Sequence, residues 1–407
     1  MTTLSRRLLL SGLAAAPLAR PGIIYAQSSS KPVRLGLLSD LNGVYRDIGG
    51  PGSRVAAELA VADFGGEVLG RKIEVLQADE QNKPDIAVTI GRQWLDEGGV
   101  DALADGSASS TGLAIQALAT EKKHIYMATG PASSDFTGKL CSPYGLHFAY
   151  DTYALAHGTG TAMTKAGGKT WFFITADYAF GYALEHDTTN AVVANGGKVL
   201  GSVRVPLGTA DFSSFLLQAQ TSGAEVIGFA NAGTDLQNCL KQAAEFGLSR
   251  GGAKLATLLM AINDVNSLGQ KVCAGLTYTD SFYWDMNPGT RAFTKRWSAK
   301  MGGMVPGLLH ASNYCATNHW LKAIKAAGTT KAEEVMAKMK ATPINDFYNT
   351  NVKVREDGCV MHEMHLWRVK PASESKYKYD FCTQVAAIAP AEAWRPLKDG
   401  GCPYIKA

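Results

Sequence analysis

After residue 18 no stretch of this chain is apolar for long enough to cross a bilayer. Several familiar chemical patterns are also missing. No GxGxxG follows a strand-like run and no GxxxxGK[ST] occurs, which removes the usual glycine cradles for dinucleotides and nucleoside phosphates. IGGPG, Ile48 to Gly52, opens a helix without either spacing and reads as a close-approach turn. No CxxC occurs, which argues against a thiol oxidoreductase or a zinc knuckle. GxSxG is absent, so a serine nucleophile has no elbow to sit on. HEMH, His362 to His365, is one residue short of HExxH. On a strand those two histidines point to opposite faces, and the expectation is a partly exposed strand with no metal.

Charge of one sign is lacking too. Arg6, Arg7 and Arg20 fall within residues 1–26, which hold no acid, so the remainder carries 37 basic residues against 36 acidic. Such a balance recommends neither nucleic acid nor an anionic membrane as partner. The first residues instead read as a removable export signal. LSRR precedes an apolar run from Leu8 to Leu18, and small residues lead to a cut after Ala26. The paired arginines suit twin-arginine export, and ordinary secretory signals also begin with basic residues. The mature chain is therefore expected in the periplasm. Seven cysteines leave at least one unpaired, and Cys239 and Cys315 sit in apolar helical patterns as small core residues.

At 407 residues the chain exceeds one ordinary core. From Val33, short apolar runs alternate with helical periods: VRLGLL, KIEVLQAD, VDALA and HIYMA are strands, each followed by a helix or turn. The pattern restarts at TWFFIT and continues through KVLGSVRVP and EVIGFA, with KLATLLM and AGLTYT expected to close a second parallel sheet. Two helices follow, then two strand-like runs, NVKVRED and VMHEMHLWRV. The fold class is α/β, with two Rossmann-like lobes whose chain crosses between them more than once, making a hinge over a cleft. The lobes are expected at 31–150 with 282–358, and at 151–281 with 359–407.

The site signal lies at the strand ends. DGSASSTG, Asp105 to Gly112, places Ser107, Ser109, Ser110 and Thr111 between a strand and a helix. Capping that helix uses one hydroxyl, not four. The next strand end repeats the composition in ATGPASSD, with Thr129, Ser133 and Ser134. Together they predict a concave patch of hydroxyls and backbone N–H groups that holds an anion without a formal cation. Aromatics stand at other strand ends: Tyr45, then Tyr178 and Phe180, then Phe282, Tyr283 and Trp284. A Ser–Lys hydrolase is the rival, but Lys122 and Lys123 lie at the far end of the following helix.

In order along the chain, SDLNGVY, GSASST, ATGPASSD, ADYAFG, NAGTDLQN and SFYWDMN resemble the exported solute-binding proteins of branched-chain-amino-acid-type ABC transporters. The resemblance implies a type I periplasmic-binding-protein fold with three crossovers and ligand enclosed by hinge closure. It places the ligand carboxylate on Ser107, Ala108 and Ser109 and on Thr129 to Ser133, which include Gly130 and Ala132. It carries Asn231 of NAGTDLQN into the site. Tyr45, Phe180, Tyr283 or Trp284, with Tyr178, would enclose the rest of the ligand. Where the family has a tyrosine before the glycine of its YG motif this chain has Phe180, so a hydroxyl is lost. The place of an acid that meets a ligand amine falls on Asn263 or Asp264 of MAINDVNS. A Cys141–Cys402 bridge is also suggested by the resemblance. The implied function is capture of a small carboxylate with an apolar or aromatic body and its delivery to a permease with its ATPase. The implied protein is a monomer without cofactor and without membrane insertion. The same fold taking a branched-chain amino acid or amide, a sensory partner, and a periplasmic serine hydrolase stay as alternatives.

Overall fold

VRLGLLS is buried along nearly its whole length, the pattern of a strand covered on both faces rather than of a solvated edge. In the computed structural model, which describes residues 31–405, it is β1 (Val33–Ser39), central in a six-stranded sheet. Its companions are β2 (Glu67–Val68), β3 (Arg71–Asp79), β4 (Ala102–Asp105), β5 (Ile125–Ala128) and β6 (Gly145–His147), in the order β2-β3-β1-β4-β5-β6. All pairs except β2–β3 are parallel, so the strands' C-terminal ends fall on one side. The proposed export signal and its cleavage point lie outside the described residues.

A second parallel sheet follows, with β7 (Thr170–Ala176), β8 (Lys198–Val205), β9 (Val226–Ala230) and β10 (Lys254–Thr257) in the order β10-β9-β7-β8. AGLTYT does not close this sheet as expected. Its strand β11 (Thr277–Asp280) pairs antiparallel with β12 (Met364–Val369), which pairs antiparallel with β13 (Cys382–Ile388). Its partner is therefore almost 90 residues further on, beyond what local periodicity can reveal.

Two more expectations are corrected by the turns. NVKVRED forms only isolated bridges, Ile344 with Val352 and Val354 with Val360. Asn351 at φ 55° and Gly358 at φ 90° bend this run before it can extend. In VMHEMHLWRV only the second half is a strand, so His362 precedes it. Neither histidine is partly exposed; His362 and His365 are 1% and 5% accessible. A helix over Ala332–Ala341 and strand β13 were not foreseen.

Helices Gly50–Phe64 and Leu308–Ala327 pack together on the first sheet, with Leu35, Leu37, Trp320, Val335 and Met339 in one core. The GGPG turn earns its glycines here: a Cβ on Gly52 would lie 2.5 Å from the His310 ring and 2.7 Å from Trp297. Trp297 donates its indole N–H to the Gly52 carbonyl at 3.0 Å. Burial of each such aromatic contributes on the order of 2–3 kcal/mol. The chain after β13 returns to the first sheet's periphery, where Cys402 is disulfide-bonded to Cys141 with Cα atoms 5.6 Å apart.

Candidate functional site

β4 ends in a sharp exit. Asp105 takes φ 71° and Gly106 φ 82°, and a Cβ on Gly106 would meet the Tyr126 hydroxyl at 2.5 Å. That hydroxyl donates to the Asp105 carbonyl at 2.7 Å. The wholly buried Asp105 carboxylate accepts from Ser39 Oγ at 2.6 Å and from Asn313 Nδ2 at 3.4 Å. Burial raises its pKa to about 6, with Ser39 the leading group that holds it down. This non-glycine left-handed residue is strained, and the surrounding hydrogen bonds hold it there.

The loop it launches does not use its serines as expected. Helix Ser109–Lys122 has Ala108 at its N-cap and no side-chain cap at all. Ser109 Oγ accepts the amides of Ala132 and Ser133, both at 3.1 Å, and so ties the β4 loop to the β5 loop. Ser107 Oγ accepts the Asp40 amide at 2.9 Å, and the Ser107 amide donates to Glu80 Oε1 at 3.2 Å. The uncapped first-turn amides carry the positive end of the helix dipole.

The β5 loop meets it closely. A Cβ on Gly130 would fall 2.1 Å from the Gly106 carbonyl, so only glycine permits the two loops to touch. Tyr150 donates its hydroxyl to the Gly130 carbonyl at 2.7 Å. Thr129 donates to Asn313 Oδ1 at 3.0 Å, and Ser133 accepts the Asp135 amide at 3.3 Å, capping a short turn. These two hydroxyls are occupied in holding the loop.

From the second sheet, Tyr178 stands at the N-cap of helix Ala179–Ala194, with Phe180 second in that helix and the ring centroids 5.8 Å apart. Tyr45, from the loop after β1, shares a hydrogen bond between hydroxyls with Tyr178. Burial pushes both phenols well above their ordinary value, so both stay neutral. Beside them the Thr234 amide donates to the Val44 carbonyl at 3.1 Å. Gly233, at φ 61°, would bring a Cβ 2.3 Å from that same carbonyl. On the other flank, Ser134 and Thr152 both donate to Asp187 Oδ2, at 2.9 and 2.6 Å.

These elements surround a narrow pocket of about 10 Å³. Seven predicted residues line it: Tyr45, Ser107, Ser109, Gly130, Ala132, Tyr178 and Phe180. Ala108 is buried in the adjoining core, and Thr129 and Ser133 brace the wall from behind. Asn231 is buried just after β9 and outside the lining, with its side chain beside the Cys239 thiol. Asn263 donates to the Val305 carbonyl at 3.4 Å, and Asp264 accepts from the Ala261 amide and from Gln237, both at 2.8 Å. Neither lines the cavity. Tyr283 packs elsewhere: its hydroxyl donates to the Tyr379 carbonyl at 3.0 Å and accepts the amides of Phe381 and Cys382. Trp284 spends its indole N–H on the same carbonyl.

Five lining residues were missed: Ile48, Tyr150, Ala232, Leu259 and Leu309. Tyr150 follows β6 as Tyr45 follows β1, so its place after a strand was the available signal; Leu309 had none. No cluster of metal-ligating side chains occurs among the described residues, and His362 Nδ1 instead faces Asn349 Oδ1 at 2.8 Å. None of the described helices is long and apolar enough to cross a membrane.

The sequence profile of a family described as periplasmic binding protein matches residues 32–376. Among solved structures, a periplasmic binding protein from Burkholderia mallei is 48% identical, with a TM-score of 0.90 over 92% of this chain and 99% of that one. A branched-chain amino acid ABC transporter periplasmic ligand-binding protein from Burkholderia xenovorans LB400 is 38% identical, with a TM-score of 0.81 over 91% and 99%. A solute-binding protein of an ABC transporter from Rhodopseudomonas palustris BisB5, in complex with 3,4-dihydroxybenzoic acid, shares the fold at 21% identity, with a TM-score of 0.79 over 88% and 98%.

Proposed function

The chain belongs to the periplasmic binding protein family, and from that premise we propose that it captures a small carboxylate with an aromatic or apolar body for an ABC transporter. Its relatives are substrate-binding transport proteins rather than enzymes, which removes the hydrolase alternative.

One observation carries the choice of ligand. The cavity has a polar wall at Ser107 and Ser109 and an aromatic remainder of Tyr45, Tyr150, Tyr178 and Phe180, and no Asp or Glu lines it. An amino acid brings an ammonium group that must find an anion when it leaves water, because an unpaired buried charge is costly. The acid expected for that role, Asp264, is turned into its own helix start and onto Gln237. A ligand with a carboxylate and no ammonium meets this lining without an orphaned charge. The relative crystallised with 3,4-dihydroxybenzoic acid lends the same direction at the level of fold.

Calorimetric titration with benzoate, 4-hydroxybenzoate and 3,4-dihydroxybenzoate, against leucine, isoleucine and valine, tests the reading. Saturable binding of an aromatic acid with weak or no leucine binding is expected. Tight leucine binding with no response to the aromatic acids would overturn it in favour of the branched-chain reading.

A further inference from the structure

Behind the serine loop stands an acid that the binding reading has not used. Glu80 follows β3, and its side chain is wholly buried. Its Oε1 accepts the amide of Ser107, one of the two serines facing the cavity. Its Oε2 makes no hydrogen bond of ordinary geometry, the Thr111 hydroxyl being the group beside the carboxyl, and no cation pairs with Glu80 among the described residues. The charged and titratable groups around it offer no compensation. Asp105 at the end of β4 is a second acid, Tyr126 of β5 and Tyr178 from the second sheet are neutral phenols, and Asp40 is joined to it only through Ser107.

An anion docked on Ser107 and Ser109 would therefore sit over a buried carboxyl that has no cation of its own. Two like charges joined through one residue, Ser107, with no cation between them repel strongly where water is excluded, and a proton on one of them removes that repulsion. We propose that Glu80 is a positioning residue that holds a proton whenever the serine loop holds a carboxylate, so that capture by this protein is coupled to uptake of one proton. The step is balanced: the carboxylate arrives as an anion, one proton passes from solvent to Glu80, and the occupied pocket gains no net charge. The neutral carboxyl still accepts the Ser107 amide through its carbonyl oxygen, which keeps the loop in place. It follows that a dianion, which would need a second compensating proton, is disfavoured against a monoanion of the same shape. This inference rests on the carboxylate reading of the site.

Burial raises the Glu80 pKa to about 8, with the Ser107 amide the leading group opposing it and the Asp105 charge adding to the rise. At pH 6 the acid is thus already protonated before ligand arrives, and the linkage shows only above about pH 7. Asp105, raised to about 6, would show its own linkage in a lower window, which separates the two acids.

The test is calorimetry of benzoate binding at pH 6, 8 and 9 in phosphate and in Tris, whose different ionisation heats report protons exchanged. Proton uptake near zero at pH 6, about half a proton at pH 8 and most of one at pH 9 is expected. Affinity should fall toward about tenfold per pH unit above pH 8. Glu80→Gln, which keeps the shape and an acceptor for Ser107, should bind with pH-independent affinity and no uptake. Wild-type binding without proton exchange from pH 8 to 9, or unchanged exchange in Glu80→Gln, would overturn the proposal while leaving the carboxylate reading intact. Failure of benzoate and the other aromatic acids to bind at any pH would instead strike the reading on which it rests, and the proposal with it. The wild-type titration stands alone if the variant does not fold.

Discussion

The hydroxyls of Tyr45 and Tyr178 meet across the cleft, one carried by the loop after β1 and the other by the head of a helix on the second sheet. Tyr45 is buried and Tyr178 partly so, and each has the other as its hydroxyl partner. Replacing either by Phe leaves the survivor unpaired at a cost of about 1–3 kcal/mol in the shut form. Tyr45→Phe and Tyr178→Phe should each weaken ligand binding about 5- to 100-fold. The double variant should lose less than the two single effects combined, which a calorimetric double-mutant cycle reads directly.

Ser109→Ala removes the acceptor shared by the Ala132 and Ser133 amides and one hydroxyl donor of the polar wall. A loss of about 10- to 100-fold in carboxylate affinity is expected, with a smaller change for Ser110→Ala, since Ser110 does not line the cavity. Equal effects of the two substitutions would contradict the assignment.

Asp187 receives two hydroxyls from the opposite flank of the cleft, Ser134 and Thr152. Asp187→Ala should leave both without an acceptor and shift the protein toward open forms, seen as a larger radius of gyration at saturating ligand in small-angle scattering. An unchanged radius would show that the flank contributes nothing to closure.

Removing the disulfide separates the C-terminal tail from the loop between β5 and β6 across 261 residues of sequence. Cys141→Ser should lower unfolding free energy by about 2–5 kcal/mol, measured by denaturant titration, while ligand affinity changes little. The bridge lies away from the cavity lining, so a large affinity loss would be unexpected.

Two of the buried acids with raised values make a pH dependence of stability measurable near neutrality. Burial lifts Glu80 to about 8 and Asp151 to about 7, above the ordinary carboxyl range near 4. For an acid whose folded value is raised, the folded form binds the extra proton, so its contribution is present at low pH and is lost as pH rises through the folded value. Between pH 6.5 and 8.5 the melting temperature should therefore fall. His147 and His310, lowered by burial to about 4, and His362, lowered to about 3, act only below about 6.5, where they cost stability as pH falls. Scanning fluorimetry of wild type, Glu80→Gln and Asp151→Asn should show the slope between 6.5 and 8.5 reduced in both variants.

How much of this was legible depended on whether the signal was local. The parallel sheets were readable because each strand is followed by its own helix, and the serine loop was readable because it repeats a hydroxyl-rich composition at two neighbouring strand ends. Strand β11 was misassigned because its partner β12 is remote, and NVKVRED because one left-handed asparagine and one glycine outweigh its alternation. The cap role given to the serines failed because tertiary contact recruits Ser109 to the next loop instead. Tyr283 was drawn to the site by its position after a strand, yet the run leading into β13 of a third sheet invisible to periodicity supplies it with three backbone partners. Leu309 arrives from more than 170 residues after the β5 loop and has no sequence mark to distinguish it from any core leucine.

The bare backbone of Gly233 against the Val44 carbonyl makes the jaws' final approach a matter of a single missing methyl group. Any side chain there would act as a doorstop, and a left-handed φ adds to the penalty. Gly233→Ala thus offers a way to wedge the clamshell ajar from its rim, against the Val44 carbonyl and the edge of the Tyr45 ring, turning a trap into a protein that samples its cargo and lets it go.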